Sequence, residues 1–219
     1  MKAPQVFVIV LIFLISENVT AQQKTDSVKT KGSVSVTYLY ATETSYISPR
    51  EAGLIKIFYG TGDSEQNFFK THTVHLNYNL SEKYQIGLGL KYGNNFYRSS
   101  SERRGELDNG DRDYDSYLGL GVTGSLELFK FGAKKNDYPF RVKNMVSLQY
   151  IRFDGIEAEG GFQKEVELLG LFVESGVIVS YLFNDGTSRI RVFYQPLSFQ
   201  MGTYGLAFQY NGFGVTIKF

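Results

Sequence analysis

Apolar side chains occupy every second position along segment after segment of this chain. Between Thr71 and Leu80, for example, Val74, Leu76 and Tyr78 alternate with polar residues. Successive side chains of a β-strand point to opposite faces, so a period of two predicts strands with one apolar and one polar face. The segments with this pattern are Ser33–Ala41, Thr71–Leu80, Lys83–Tyr92, Tyr117–Phe129, Val142–Arg152, Val166–Phe183, Arg189–Gln195 and, roughly, Tyr204–Phe219.

The polar faces of these segments are rich in Gly, Ser, Thr, Asn and Gln, and contain few Lys and Glu residues. Such a face suits the narrow, side-chain-filled interior of a small barrel better than a surface in water. The sequence therefore predicts an all-β protein, a transmembrane antiparallel up-and-down barrel of eight strands, with Tyr and Phe in the interfacial girdles. Ten strands remain an alternative, because Gly53–Tyr59 could form an additional strand.

The first 21 residues predict an export signal. Lys2 supplies the positive start, Val6–Ile15 is an unbroken apolar run, and Val19–Ala21 has the small residues of a cleavage site. The run is too short to span a bilayer as a helix, for which roughly 20 residues are needed. We therefore expect residues 1–21 to be cleaved, 22–31 to form a short periplasmic segment, and 32–219 to form the barrel.

Composition excludes several classes of protein. The 23 basic and 22 acidic residues give no charge excess of the kind that binds nucleic acid. Cysteine is absent, which excludes disulfides, lipoprotein acylation and thiol catalysis. No motif implies a cofactor.

The predicted links between strands alternate in length, as expected for long outer loops and short periplasmic turns. The first and third links, Thr42–Lys70 and Asn94–Ser116, are long, the fifth, Asp154–Lys164, is moderate, and the seventh, Pro196–Thr203, is shorter. The second, Leu80–Lys83, and the sixth, Asn184–Ser188, are tight, whereas the fourth, Lys130–Arg141, is longer than expected. An even strand number leaves both termini in the periplasm.

The last strand ends in an alternating apolar pattern that closes on a terminal Phe. It resembles the signal that bacterial outer-membrane barrels present to their assembly machinery, with Phe213, Val215, Ile217 and Phe219 on the lipid face and Gly214 as the small residue. Leu206 and Tyr210 have the opposite parity, which predicts a β-bulge near Asn211–Gly212.

With this signal, residues 32–219 resemble the small outer-membrane barrels of the OmpA/OmpX-like superfamily. The resemblance implies location in the cell outer membrane, surrounded by lipid and lipopolysaccharide. It also implies the barrel assembly machinery and periplasmic chaperones as partners. That superfamily includes adhesins, narrow pores and lipid A-modifying enzymes, so the fold does not select a function.

Few residues are candidates for chemistry. His72 and His75 lie three positions apart on one strand, so they should point to opposite faces and cannot share a site. His75, on the polar face, resembles the catalytic histidine of lipid A acyltransferases and deacylases only weakly. A group of acidic residues in the third link lacks the glycine and glutamate of a calcium loop, and we interpret it as solvated. Its members are Asp108, Asp111, Asp113 and Asp115.

Charged residues on the polar faces predict an interior network. Glu127, Glu174, Arg189 and Arg191 all fall there. Because an unpaired interior charge is strongly destabilising, we expect at least one Glu–Arg pair to span the lumen. These observations favour a non-enzymatic barrel with a closed interior and a structural or surface-interaction role. A small pore and a lipid A-modifying enzyme are the alternatives, and a soluble lipocalin-type barrel would need a polar exterior.

Overall fold

The computed structural model describes residues 32–47, 65–81, 83–96, 112–131, 140–159, 161–182 and 190–219. Eight antiparallel strands form one closed barrel in which each strand pairs with its neighbours in sequence and β1 pairs with β8. The strands are β1 Val34–Ile47, β2 Glu65–Asn79, β3 Tyr84–Asn95, β4 Arg112–Phe131, β5 Phe140–Glu159, β6 Phe162–Leu182, β7 Ile190–Gly202 and β8 Gly205–Lys218.

The predicted fold class and the strand number of eight are confirmed. Three predicted segments lie outside the described residues: the signal segment 1–21, the segment 22–31 and the possible extra strand Gly53–Tyr59. The eight described strands form a closed ring. In the described part of the chain, no helix is long and apolar enough to cross a bilayer.

Two ends of the barrel are distinguished by the links that join the strands. The terminal end carries the start of β1 and the end of β8, together with the links β2–β3, β4–β5 and β6–β7. The loop end carries the links β1–β2, β3–β4, β5–β6 and β7–β8. Residues that are early in odd-numbered strands and late in even-numbered strands therefore lie near the terminal end.

The prediction of a fifth link at Asp154–Lys164 is wrong, because β5 extends to Glu159 and β6 begins at Phe162. Glu159 pairs with Phe162, and Glu157 with Lys164. Gly161 adopts a φ of 82°, a left-handed conformation that glycine takes without strain and that allows a tight turn here. The segment Asp154–Lys164 is therefore a β-hairpin rather than a loop of moderate length.

The predicted seventh link is also wrong, because β7 runs through Pro196 to Gly202. Proline cannot donate a ladder hydrogen bond, so it is tolerated in a strand mainly where the pairing is interrupted. The register between β6 and β7 shifts here, from Val177 opposite Leu197 to Val179 opposite Tyr194. The resulting bulge accommodates Pro196 inside the strand.

The bulge predicted near Asn211–Gly212 is confirmed. On β1, Tyr40 pairs with Phe213 and Thr42 pairs with Tyr210, so one residue of β1 faces two residues of β8. Asn211 has a φ of 54°, a left-handed conformation that asparagine tolerates better than most residues. The bulge reverses the side-chain parity, so that apolar residues face outward on both sides of it.

Candidate functional site

The outer surface of the barrel is a belt of exposed apolar side chains. Leu120 is 63% exposed and Phe213 is 61% exposed, although both are large and apolar. Other members are Leu76, Ile86, Leu88, Leu118, Val122, Leu148, Tyr150, Leu169, Leu171, Val173, Ile190 and Leu197. A soluble barrel would bury such residues, so this exterior suits hydrocarbon and disfavours a lipocalin-type barrel in water.

The interior near the loop end is filled by an apolar cluster. Tyr117 packs against Phe69 with ring centroids 5.0 Å apart and against Phe153 at 5.3 Å. Phe172 contacts Phe153 from β6 at 5.8 Å. We name this set the aromatic plug: Ile47, Phe69, Tyr114, Tyr117, Ile151, Phe153, Leu168 and Phe172. Each of its members is at most 8% exposed, so packed side chains fill the barrel at this level.

A central ion-pair network lies next to the aromatic plug, nearer the middle of the barrel. The Lys91 Nζ atom lies 2.8 Å from Glu43 Oε2 and 3.3 Å from Glu174 Oε2. Lys91 also donates a hydrogen bond of 3.1 Å to Gln200. Since these residues lie on β1, β3, β6 and β7, the network crosses the lumen and joins opposite walls.

Polar neighbours complete the hydrogen bonding of both carboxylates. Glu174 accepts hydrogen bonds from Ser198 at 2.7 Å and Gln149 at 2.9 Å. Glu43 accepts them from Ser45 at 2.7 Å and from the Tyr117 hydroxyl at 2.8 Å, which links the network to the aromatic plug. Buried charges need such partners to offset the cost of removing them from water.

The four predicted interior charges have different surroundings. Glu127 and Glu174 are buried inside the barrel. Glu127 Oε2 lies 3.1 Å from Arg141 on the adjacent strand, and Glu174 pairs with Lys91 across the lumen. Among the described residues, Glu174 therefore pairs across the lumen with a lysine, whereas Glu127 pairs with an arginine of the neighbouring strand. Arg191 lies on β7, half-buried, and Arg189 lies outside the described residues.

Sequence reasoning missed the basic partners and one carboxylate. Glu43 fell in the predicted first link, because β1 is longer than the apolar alternation of its first half indicated. The sequence places Lys91 on the polar face of its strand, but it does not indicate which strand faces this side chain across the lumen. Arg141 was assigned to the fourth link, although β5 begins at Phe140.

The two histidines face opposite sides of β2, in agreement with the period of the strand. His75 is buried in the interior at 6% exposure, and His72 is on the outer side, where its Nδ1 lies 2.7 Å from the Tyr38 hydroxyl. Within the described ranges, no three His, Cys, Asp or Glu residues are placed to hold a metal ion. Asp113 is buried and Asp115 is partly buried, whereas Asp108 and Asp111 lie outside those ranges.

Four residues of the predicted assembly signal, Phe213, Gly214, Val215 and Ile217, lie on β8, the strand that closes the barrel against β1, and Phe219 follows the end of this strand. Phe213 is exposed on the outer face, and Val215 and Ile217 follow it at alternate positions. Gly214 lies where a Cβ atom would meet the ring of Phe193. Phe219 donates a backbone hydrogen bond of 2.8 Å to Val34. The role of these residues in assembly stays a prediction.

No protein-family model and no curated protein sequence matches the chain. Similar solved structures include Neisserial surface protein A, which is 14% identical with a TM-score of 0.48 and covers 84% of this chain and 97% of its own. The attachment invasion locus protein Ail of Yersinia pestis is 7% identical with a TM-score of 0.49, covering 86% and 99%.

The N-terminal β-barrel domain of Pseudomonas aeruginosa OprF is also similar, with 14% identity, a TM-score of 0.45, and coverage of 86% of this chain and 98% of that chain. At such identities and TM-scores, no function, ligand or partner transfers to this chain.

Proposed function

We propose that this chain is a non-enzymatic barrel of the bacterial outer membrane, closed by its own side chains, with a structural or surface-interaction role. The observation that carries the proposal is the combination of an apolar exterior with an interior occupied by the aromatic plug and the central ion-pair network. A barrel of eight strands has little more interior than its side chains fill. Lipid and lipopolysaccharide are then its immediate surroundings, and the assembly machinery and periplasmic chaperones its partners during delivery.

The burial of lumen residues argues against the alternative of a small pore. A water-filled path would expose the side chains that line it. Instead, Phe69 and Thr71 are 0% exposed and Lys91 is 2% exposed. These residues lie at successive levels of the barrel, so the occlusion is deep rather than a single constriction.

The alternative of a lipid A-modifying enzyme requires a histidine that lipid can reach. His75 lies inside the barrel, where the chain of Gly89 crosses next to its ring and Glu174 and Lys91 are its charged neighbours. His72 is on the outer side but pairs with Tyr38 and lies 5.3 Å from the Tyr40 ring, with no carboxylate or serine recorded beside it in the described region. His75, although close to a carboxylate, is therefore buried away from lipid, and His72 has no carboxylate or serine beside it among the described residues.

The loop end is the part of the barrel that we assign to the cell surface. The β5–β6 hairpin extends beyond the β7–β8 turn, since β7 pairs with β6 only up to Phe172 opposite Gly202. Phe162, at the tip of this hairpin, is 80% exposed.

Cysteine labelling tests the location and the orientation together, because the natural chain has no cysteine. We expect F162C to react with a membrane-impermeant maleimide on intact cells. We expect the matched variant S81C, in the β2–β3 turn at the other end, to react only after the outer membrane is permeabilised. Labelling of S81C but not F162C on intact cells would reverse the orientation, and recovery of both variants in the soluble fraction would refute the membrane location.

A further inference from the structure

A polar patch interrupts the apolar belt on the outer face of the strands where the barrel closes. Asn211 on β8 is exposed between Phe208 and Phe213, which are 39% and 61% exposed. On β1, Tyr40 pairs in register with Phe213 on one side and with His72 of β2 on the other. The patch therefore lies within the belt and extends across adjacent strands. We name its outward-facing members the seam patch: Tyr40, Thr42, His72, Tyr194, Tyr210 and Asn211.

The outer face of β4, on the far side of the barrel, shows the contrast. Leu118, Leu120 and Val122 occupy successive outward positions there and are 48%, 63% and 54% exposed. Hydrocarbon tails suit such a face because they make no hydrogen bonds, whereas a polar group that faces them loses the hydrogen bonds it makes in water. The seam patch is therefore poorly suited to contact with lipid tails.

Three polar groups in the seam patch have hydrogen-bonding capacity that the barrel does not use. Asn211 Oδ1 accepts a hydrogen bond of 3.2 Å from the Tyr194 hydroxyl, but Asn211 Nδ2 has no partner among the described residues. His72 Nδ1 lies 2.7 Å from the Tyr38 hydroxyl, and either tautomer leaves Nε2 with one hydrogen bond to make. The Tyr40 hydroxyl has no partner in the described part of the chain. Polar groups placed at this depth are costly and mark functional surfaces.

The backbone beneath the seam patch is also irregular. The register of β7 and β8 passes over Pro196 and Asn211, at the position where each strand carries a bulge. Pro196 is exposed on the outer face, and Asn211 has a φ of 54°. Irregular backbone at membrane depth is tolerated where protein covers it, but not where it faces lipid. The backbone and the side chains therefore both indicate that protein covers this face.

We propose that the seam patch is the interface of a parallel homodimer, in which a second copy of this chain covers it. Copies inserted in the same direction hold the patch at the same depth, and a twofold axis along the membrane normal beside β8 brings the two patches together. The Asn211 amide has donors and an acceptor, so it can bond to its counterpart across the axis. The proposal goes beyond the function proposed above and depends only on the membrane barrel, so either orientation leaves it intact.

A second copy suits the seam patch better than a lipid or a different protein. The patch contains no Lys, Arg, Asp or Glu, so two copies do not bring like carboxylates or like ammonium groups together. The twofold rotation places β2 of one copy opposite β7 of the other. The free His72 Nε2 of one copy then faces the Tyr194 hydroxyl of the other, which retains acceptor capacity. Symmetry provides this match on both flanks at once.

Sedimentation equilibrium of the full chain, refolded in density-matched detergent micelles, provides the first test. We expect a reversible equilibrium between monomer and dimer. The double variant H72L/N211G removes two of the three unused polar groups and should raise the dissociation constant about tenfold or more. The matched variant Y150F/S175A removes two exposed hydroxyls from β5 and β6, away from the seam patch, and should leave the dissociation constant unchanged.

Disulfide cross-linking in the outer membrane of cells keeps the test independent of folding damage in the double variant. Because the natural chain has no cysteine, N211C places a single thiol beside the axis and L120C places one on the far wall. We expect oxidation to link N211C into dimers and to leave L120C monomeric. Heat-modifiable electrophoretic mobility verifies that each variant is folded.

Three results would each overturn the homodimer. The first is a natural chain that stays monomeric at all concentrations, as it would if a lipid or a different protein covered the seam patch in cells. The second is a dissociation constant that is the same for the natural chain and H72L/N211G, or that rises equally in Y150F/S175A. The third is equal cross-linking of N211C and L120C.

Discussion

At the scale of single residues, two glycines on neighbouring strands differ sharply in their surroundings. A Cβ atom at Gly93 would come within 3.0 Å of the Tyr117 ring, whereas one at Gly124 would meet nothing within 4 Å. Tyr117 cannot move aside without cost, since it is 1% exposed and donates a hydrogen bond to Glu43. Gly93 therefore makes room for the aromatic plug, and Gly124 faces open space.

We expect G93A to lower the free energy of unfolding by about 1–3 kcal/mol, the usual effect of overpacking a core. The control G124A should change it by less than about 0.5 kcal/mol, as substitutions at open sites do. Urea unfolding in lipid vesicles measures both. Equal effects of the two variants would show that the aromatic plug is loosely packed.

Lys91 is the residue on which the central ion-pair network depends. K91M keeps the bulk of the side chain but leaves Glu43 and Glu174 without their shared cation. Removal of one partner from a buried ion pair costs about 3–5 kcal/mol, and we expect a loss of unfolding free energy in this range.

The control for K91M is K70M, which removes an exposed lysine whose Nζ atom lies 5.2 Å from the centroid of the Phe96 ring. Its expected cost is at most about 0.5–1 kcal/mol. The double variant K91M/E174Q should recover part of the loss, because one uncompensated carboxylate disappears. A K91M variant as stable as K70M would contradict the assignment of the network as a closing element.

At the scale of strands, sequence alternation predicted the number and the faces of the elements but not their lengths. The apolar–polar alternation stops before the strands end, because β5 and β6 continue into their hairpin with mixed residues such as Glu157 and Lys164. Pro196 was read as the start of a link, since the compensating bulge depends on the neighbouring strand. The β8 bulge was predictable because it reverses parity within one strand.

The β8 bulge predicts a specific tolerance at Asn211. A β-branched residue at a φ of 54° costs about 1–2 kcal/mol, whereas glycine adopts that conformation freely. We therefore expect N211V to lower the free energy of unfolding by this amount and N211G to stay near the natural chain, apart from its lost hydrogen bond with Tyr194. If N211V were the more stable of the two, the left-handed conformation at this position would be wrong.

The closing strand also supports a prediction about assembly. If Phe219 belongs to the recognition signal, F219A should reduce the amount of folded barrel in the outer membrane of cells but leave refolding of the purified chain into detergent unchanged. F208A removes an exposed aromatic residue of β8 and serves as the control. If F219A, F208A and the natural chain were present in the outer membrane at equal levels, Phe219 would not belong to the assembly signal.

At the scale of the whole molecule, the fold was predictable and the interior only partly so. The period of two and the small residues on the polar faces are properties of single strands, and they predicted a closed barrel with a polar lumen. Which side chains meet across that lumen depends on strand tilt and register, as Lys91 and Glu174 illustrate. The aromatic plug was missed for the same reason, since Phe69, Phe153 and Phe172 lie on three different strands.

Deep occlusion of the lumen is the central claim, and single-channel conductance of the refolded chain in planar bilayers tests it most directly. The aromatic plug and the central ion-pair network predict a silent membrane, with no discrete openings at moderate voltage. The protein must first be shown to be inserted and folded by its heat-modifiable mobility. Steady, discrete openings of the natural chain would contradict the closed interior and favour a pore.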